Sequence, residues 1–147
     1  MNARPVSKAK KMQFGVMQRG VFPWDEDMRA RFEELLEQAR LLEKLGYDSI
    51  TKGSHFSTYP HREMMQIPYL CRVMAEAPSL RLNAGVVLLA LHNPLEVADY
   101  FATMDLMSGG RTIFGCALGY REVEYKGFGV RKGEGVKRFE ENLEAIK

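Results

Sequence analysis

The stretch Leu80-Arg-Leu-Asn-Ala-Gly-Val-Val-Leu-Leu-Ala-Leu-His-Asn-Pro94, read on to residue 121, decides the fold of this chain. Residues 80–90 form a nearly continuous apolar run, which is typical of a parallel strand covered on both faces. Asn93 and Pro94 then supply a helix cap and a first helical residue, and a second apolar strand follows the helix at residues 112–116. Because strand, crossover helix and strand form a βαβ unit, we predict that both strands are parallel.

The same alternation of strand and helix runs through the rest of the chain. Apolar residues recur at helical spacing from Met28 until Gly46 ends the pattern. The other predicted strands are residues 13–18 and 47–51, the other predicted helices are residues 66–76 and 136–147, and the predicted loops are residues 22–24, 53–62 and 119–135. We therefore predict an α/β fold of four parallel βα units, with the four strands adjacent in the order of the chain.

Composition and charge limit the function classes. The 147 residues suffice for one domain, which we place at residues 12–147 after a basic tail at residues 1–11. A net charge of +2 with both signs interspersed predicts no nucleic acid partner and no anionic membrane partner. No apolar run approaches the roughly 18 residues of a membrane span, and residues 1–11 lack the apolar region of a signal peptide. Cys71 and Cys116 show no metal-type spacing, so we predict a cytoplasmic protein with reduced thiols and no metal.

Two motifs carry a resemblance to a known family. The first is Ala84-Gly-Val-Val-Leu-Leu-Ala-Leu-His-Asn-Pro94, and the second is Asp105-Leu-Met-Ser-Gly-Gly-Arg111 with the apolar strand after it. In this order they resemble the bacterial luciferase-like flavin monooxygenases, and the likeness covers roughly residues 12–147. The resemblance implies a TIM (βα)₈ barrel, of which four βα units are the N-terminal half. A truncated or halved protein is our first interpretation, and a self-sufficient four-unit sheet or two halves that pair into one barrel are the alternatives.

In a TIM barrel, the active site lies at the carboxyl ends of the strands, so the loop at residues 53–62 is a candidate site. His55 and Phe56 in this loop resemble a histidine-phenylalanine pair that lies beside the flavin in the luciferase-like family. The resemblance implies that His55 is the catalytic proton donor, since a histidine changes charge near neutral pH. It also implies that Ser54 and Phe56 bind the cofactor. The luciferases have two successive histidines here, and Ser54 stands in place of the first.

The loop after the fourth strand is the second candidate region. The luciferases carry a cysteine and a phosphate-binding arginine where this chain has Ala117 and Leu118. We therefore expect the flavin phosphate to be held by Arg121, by backbone amides near Gly119, or by later loops of a complete barrel. Tyr120 completes the cofactor-binding candidates of this loop.

Other polar residues receive structural interpretations from the sequence. Cys116 should face away from the site by strand alternation and should pack as a small hydrophobe. We expect His92 to flank a helix cap and His61 to lie on a surface loop. Glu122 and Glu124 are interpreted as solvated loop charges.

The peptide bond between Gly85 and Val86 is a separate prediction from the resemblance. The family has a cis peptide bond without proline at this position of the third strand, where it forms a bulge beneath the flavin ring. Gly85 is compatible with a cis bond because it lacks a Cβ atom. The resemblance therefore implies that Gly85 and Val86 adjoin the cofactor.

The resemblance implies an oxidoreductase that uses reduced FMN and O₂ on a small organic substrate. An alternative is hydride transfer with the deazaflavin F420 on the same type of barrel. A second alternative is a non-catalytic half barrel that acts as a binding or oligomerisation module. We expect the 147-residue chain to be inactive alone and to form a homo-oligomer, because open strand edges and exposed apolar faces favour association.

Overall fold

A four-stranded parallel sheet is the centre of the molecule in the computed structural model, which describes residues 12–147. The predicted tail at residues 1–11 lies outside the described residues. In chain order the elements are β1 (Gly15–Gln18), β2 (Val21–Pro23), α1 (Met28–Lys44), β3 (Ser49–Lys52), β4 (His61–Glu63), α2 (Gln66–Glu76), β5 (Arg81–Leu88), α3 (Pro94–Ser108), β6 (Thr112–Ala117), α4 (Glu122–Gly127) and α5 (Gly135–Ile146).

The parallel sheet has the strand order β1-β3-β5-β6, and each adjacent pair is parallel. The predicted order of four successive parallel strands is therefore confirmed. Within the described residues, β1 and β6 each pair on one side only, so the sheet is open at both edges. The fold is a half barrel of βα units, as predicted. Within the same residues, every helix is too short or too polar to cross a bilayer.

One face of the sheet forms the main core with the helices. Ile50 of β3 and Leu82 of β5 are fully buried, and they pack in one cluster with Leu36 of α1 and Leu70 of α2. Burial of each such side chain contributes about 1.5–3 kcal/mol relative to exposure. Strand alternation sends the intervening residues to the other face, where Asn83 Nδ2 donates to Thr51 Oγ1 at 3.0 Å.

The opposite face carries apolar side chains that remain accessible. Met17 of β1 is 58% exposed and Val86 of β5 is 37% exposed. The cis peptide bond that the resemblance implied is present between Gly85 and Val86, and the register between β5 and β6 shifts between Gly85 and Val87. The third strand ends at Leu88 rather than at Ala90, because residues 89–91 form a 3₁₀ turn.

Three predicted loops contain regular structure. β2 and β4 form an antiparallel two-stranded sheet, although residues 22–24 and 53–62 were expected to be loops. These strands have only three residues each, and their pairing joins segments about 40 positions apart, so no local pattern indicates them. Similarly, the six-residue helix α4 lies inside the predicted loop at residues 119–135. The glycines of this segment have low helix propensity, so its composition favours a loop prediction.

The boundaries of α3 agree with the sequence because both ends carry specific caps. Asn93 Oδ1 accepts a hydrogen bond from Leu95 N at 2.9 Å, and Pro94 occupies the first turn, where a backbone donor is not needed. Gly109 ends the helix with φ at +68°, a conformation that glycine adopts without steric cost.

Helix α5 is attached to the 3₁₀ turn after β5 by side-chain hydrogen bonds. Asn142 Nδ2 donates to Leu89 O at 2.9 Å and to His92 O at 3.0 Å. Arg138 Nε donates to Ala90 O at 2.9 Å. The helix thus supplies donors to a turn whose carbonyls are not used by the sheet.

We expect Asn142→Ala to lower the free energy of unfolding by about 1–3 kcal/mol, because the carbonyls of Leu89 and His92 each lose the side-chain donor. Glu141→Ala is the matched control, since this neighbouring side chain on α5 is exposed. Chemical denaturation of both variants measures the difference. Equal stability of the two would show that the Asn142 bonds do not hold α5.

Candidate active site at the carboxyl ends of the strands

A polar cleft lies where the carboxyl ends of β1 and β3 meet the small β2–β4 sheet. Its volume is about 580 Å³. The cleft is lined by Met17, Gln18, Arg19, Val21, Pro23, Gly53, His55, His61, Glu63 and Tyr120. Of the sequence-predicted site residues, the cleft brings His55 and Tyr120 together.

His55 is held at the cleft by a buried carboxylate. Its Nδ1 lies 3.1 Å from Glu124 Oε1, and the Glu124 side chain is 1% exposed. A carboxylate accepts hydrogen bonds, so this contact favours the tautomer with the proton on Nδ1. Nε2, on the opposite side of the ring, is then left for the cleft. The side chain of His55 is 35% exposed, and the ring of Tyr120 meets it edge-on at 6.0 Å.

Glu124 also joins α4 to the loop after β3. Its Oε1 accepts from Phe56 N at 2.9 Å and from Arg121 Nη1 at 3.3 Å. Arg121 in turn donates to Phe56 O at 2.8 Å and to Ser57 O at 3.2 Å. Oε1 of the carboxylate is therefore compensated by a cation and by one backbone donor, as a buried charge requires.

The interpretation of Glu124 as a solvated loop charge is wrong, because α4 turns it inward. Glu122 is exposed as predicted, and Lys126 holds its carboxylate at 2.9 Å. A signal for this helix was present in the sequence. The pairs Arg121 and Glu124 at i,i+3 and Glu122 and Lys126 at i,i+4 have the spacing of helical ion pairs.

Ser54 and Phe56 do not reach the cleft. They line a second, apolar cavity of about 380 Å³ between the amino ends of α2 and α3. The ring of Phe56 packs against those of His92 and Phe128, with centroids 5.6 Å and 4.7 Å away. Successive residues of the loop thus face different cavities, and only His55 of the three lines the cleft.

The remaining predicted residues have defined places. Gly85 and Val86 lie on the accessible face of β5, next to the bulge. Gly119 has φ at +80° and turns the chain after β6, where an added Cβ would lie 3.4 Å from Leu88. The guanidinium of Arg121 is occupied by protein acceptors. Cys116 packs against the main core as predicted, and burial raises the pKa of its thiol.

A second buried ion pair borders the cleft, and the sequence analysis did not identify it. Lys52 is fully buried, and its Nζ donates to Glu63 Oε1 at 2.6 Å and to Gly53 O at 3.0 Å. Strand alternation alone places Lys52 on the same face as buried Ile50, which is the signal that a lysine there needs an internal partner. Across residues 12–147, no group of three or more His, Cys, Asp or Glu side chains is placed to hold a metal ion.

Comparisons with known proteins show the same family over the whole described region. The family profile described as luciferase-like monooxygenase matches residues 12–147. Limonene 1,2-monooxygenase of Rhodococcus erythropolis is 28% identical over 138 residues, which cover 90% of this chain and 36% of that protein. F420-dependent glucose-6-phosphate dehydrogenase 2 of Rhodococcus jostii is 32% identical over 90 residues, which cover 58% of this chain and 27% of that protein.

A solved structure shows the same fold. The oxygenating constituent of 3,6-diketocamphane monooxygenase of Pseudomonas putida, in complex with FMN, superposes with a TM-score of 0.83 at 16% identity. The match covers 92% of this chain and 38% of that one. This chain thus spans well under half the length of the proteins that it matches.

Because His92 is half-buried, we predict that the folded chain is less stable at acid pH. Burial between Phe56 and Phe128 lowers the pKa of His92, and nearby Glu96 opposes this only in part. Below the unfolded pKa of about 6.5, the unfolded chain binds the proton more readily than the folded one, so stability falls as the pH falls from there through the folded pKa.

We therefore expect the thermal unfolding midpoint of the chain to decrease as the pH is lowered from about 7 to about 5. The decrease should be smaller in His92→Phe. His61→Phe is the control, since His61 is exposed. Calorimetry across this range measures both. An unchanged pH dependence in His92→Phe would contradict the assignment.

Proposed function

This chain belongs to the luciferase-like monooxygenase family, and from this premise we propose that the whole protein is a flavin-dependent monooxygenase. It would use reduced FMN and O₂ on a small organic substrate. The observation that carries the proposal is His55, held by buried Glu124 at the carboxyl end of β3 and facing a cleft of about 580 Å³. A relative that is a limonene monooxygenase and a similar fold that binds FMN support it.

The residues present fit the ring system of a flavin. Beside the cleft, the accessible sheet face carries Met17 and Val86, and the glycines at positions 53 and 85 leave it flat. A Cβ on Gly53 would contact Met17 Cε at 3.7 Å and Gly85 O at 3.9 Å, so a side chain there would fill this face. We propose that Gly85, Val86 and Tyr120 contact the ring.

The guanidinium of Arg121 is not available for the flavin phosphate. Arg121 already donates to two backbone carbonyls and to Glu124. We therefore propose that Arg121 organises the site rather than binding the flavin phosphate. Backbone amides near Gly119, or loops of the whole protein, remain the candidates for that group, which barrels commonly bind after their last strands.

His55 is the proposed proton donor. Bound reduced flavin supplies the electrons for the reaction with oxygen. Nε2 of His55 would hold a proton at the reacting oxygen atom, and Glu124 would stabilise the charged imidazole while fixing its orientation. Arg121 keeps the carboxylate compensated in both charge states of the histidine.

Hydride transfer with F420 is the second candidate function. The relative from Rhodococcus jostii, which is F420-dependent, supports it. Here His55 would act on a substrate hydroxyl instead of an oxygen-derived atom. Oxygen consumption by the whole protein, with identification of the released cofactor by its absorbance, distinguishes the two.

For the FMN-dependent activity, we expect His55→Gln to lower kcat by about 10²–10⁴-fold in the whole protein, because the proton donor is lost. Glu124→Gln should lower it less and shift the pH profile, since the histidine loses its carboxylate partner. Glu122→Gln is the matched control on the same helix, because its side chain is exposed. Oxygen uptake is the measurement, and an unchanged kcat in His55→Gln would refute the assignment.

The 147-residue chain has four of the βα units of a barrel, and we propose that it is inactive alone and associates with itself. The open edges β1 and β6, together with exposed Met17 and Val86, support this. Sedimentation velocity should show dimers or larger species at micromolar concentration. A monomer throughout the concentration series would contradict self-association and would leave a folded monomeric module.

A further inference from the structure

One carboxylate oxygen of Glu63 is used by no group within residues 12–147. Its side chain is 5% exposed, and Lys52 Nζ holds Oε1 at 2.6 Å. Oε2 is buried and has no hydrogen-bond partner among residues 12–147. An acceptor buried without a donor destabilises a protein, so such an atom in a folded protein calls for a physical explanation.

The position of Glu63 connects this oxygen with the candidate site. Glu63 ends β4, lines the cleft, and shares with His55 and Tyr120 a smaller adjoining cavity of about 190 Å³. The residue pairs with Val21 of β2 through the backbone and with Lys52 of β3 through the side chain. Because it is held from two sides, the carboxylate is fixed in place beside the proposed proton donor.

The charge balance defines the kind of ligand that this oxygen suits. The Lys52 side chain is 1% exposed, so the ammonium and the carboxylate neutralise each other inside the protein. The free oxygen is thus a strong hydrogen-bond acceptor, although the Lys52–Glu63 pair as a whole carries no net charge. A neutral O–H or N–H donor would satisfy it, whereas a ligand carboxylate or phosphate would be repelled by the carboxylate oxygen.

We propose that Glu63 Oε2 is a ligand-binding atom of the cleft, which accepts a hydrogen bond from a neutral hydroxyl or imide N–H of the bound molecule. The inference rests on the proposed function only in taking the cleft as the ligand site. The donor can belong to the isoalloxazine ring or to the substrate, and the chemistry of recognition is the same. Glu63 thereby selects ligands that carry a donor over matched ligands that carry only acceptors.

Two pairs of probes test the proposal on the 147-residue chain. Lumiflavin and 3-methyllumiflavin differ in the imide N–H, and cyclohexanol and methoxycyclohexane differ in the hydroxyl. In ligand-observed NMR titrations, we expect the N–H or O–H compound of one pair to bind about tenfold more tightly than its methylated partner. The methylated compound cannot donate, so it loses one charge-assisted hydrogen bond. A preference in the first pair identifies the flavin ring as the source, and one in the second pair identifies the substrate.

Glu63→Gln is the decisive variant. The Lys52 ammonium requires the amide oxygen, so the amide NH₂ would face the cleft and the preference for donors should disappear. Glu76→Gln is the matched control, because Glu76 of α2 is also held by cations, Arg40 of α1 and Arg72 of α2, but does not line the cleft. If circular dichroism shows that Glu63→Gln does not fold because Lys52 has lost its partner, Lys52→Met/Glu63→Met removes both the ammonium and the acceptor, and the preference for donors should disappear there as well.

Equal binding within both pairs, no binding of either donor, or a preference that persists in Glu63→Gln would each overturn the proposal. These readouts measure binding and not turnover. A donor preference in this chain, with no oxygen uptake by the whole protein, would retain the role of Glu63 and reject the monooxygenase proposal.

Discussion

The buried carboxylate of Glu124 is the contact on which the candidate site depends. It receives hydrogen bonds from His55, from the backbone of Phe56 and from Arg121. These donors come from two segments that are 65 positions apart, and only the parallel sheet brings the segments together. A charge with 1% exposure is tolerated because each donor compensates part of its lost hydration. The same contacts fix the imidazole, so the stability of α4 and the geometry of the site have one cause.

The two faces of the parallel sheet have different environments: one packs against helices in the core, and the other is accessible. Ile50 and Leu82 point into the helix-covered core, while the neighbouring Thr51 and Asn83 point to the accessible face. Lys52 is the exception, because it lies on the buried side and needs Glu63 as an internal partner. This pair attaches the β2–β4 sheet to the end of β3, and its Glu63 lines the cleft.

The loop after β3 divides its residues between two environments. His55 faces the polar cleft and Glu124, whereas Phe56 enters an aromatic cluster with His92 and Phe128. The aromatic contacts anchor the loop by apolar packing, and Arg121 anchors it by hydrogen bonds to its carbonyls. A loop that is fixed on both sides holds the His55 imidazole in one orientation.

The sequence by itself determined the parallel βα units, the caps of α3, the place of Cys116 in the core and the position of His55 after the second parallel strand. These features follow from local periodicity, cap residues and an ordered series of motifs, and each of these signals depends on residues that are close together in the sequence. Only the tertiary structure decided the β2–β4 pairing, the inward turn of Glu124, the Lys52–Glu63 pair and the separation of Phe56 from the cleft. Each of these depends on contacts between segments distant in the chain, and a charged residue in a glycine-rich segment looks solvated until the fold supplies its partners.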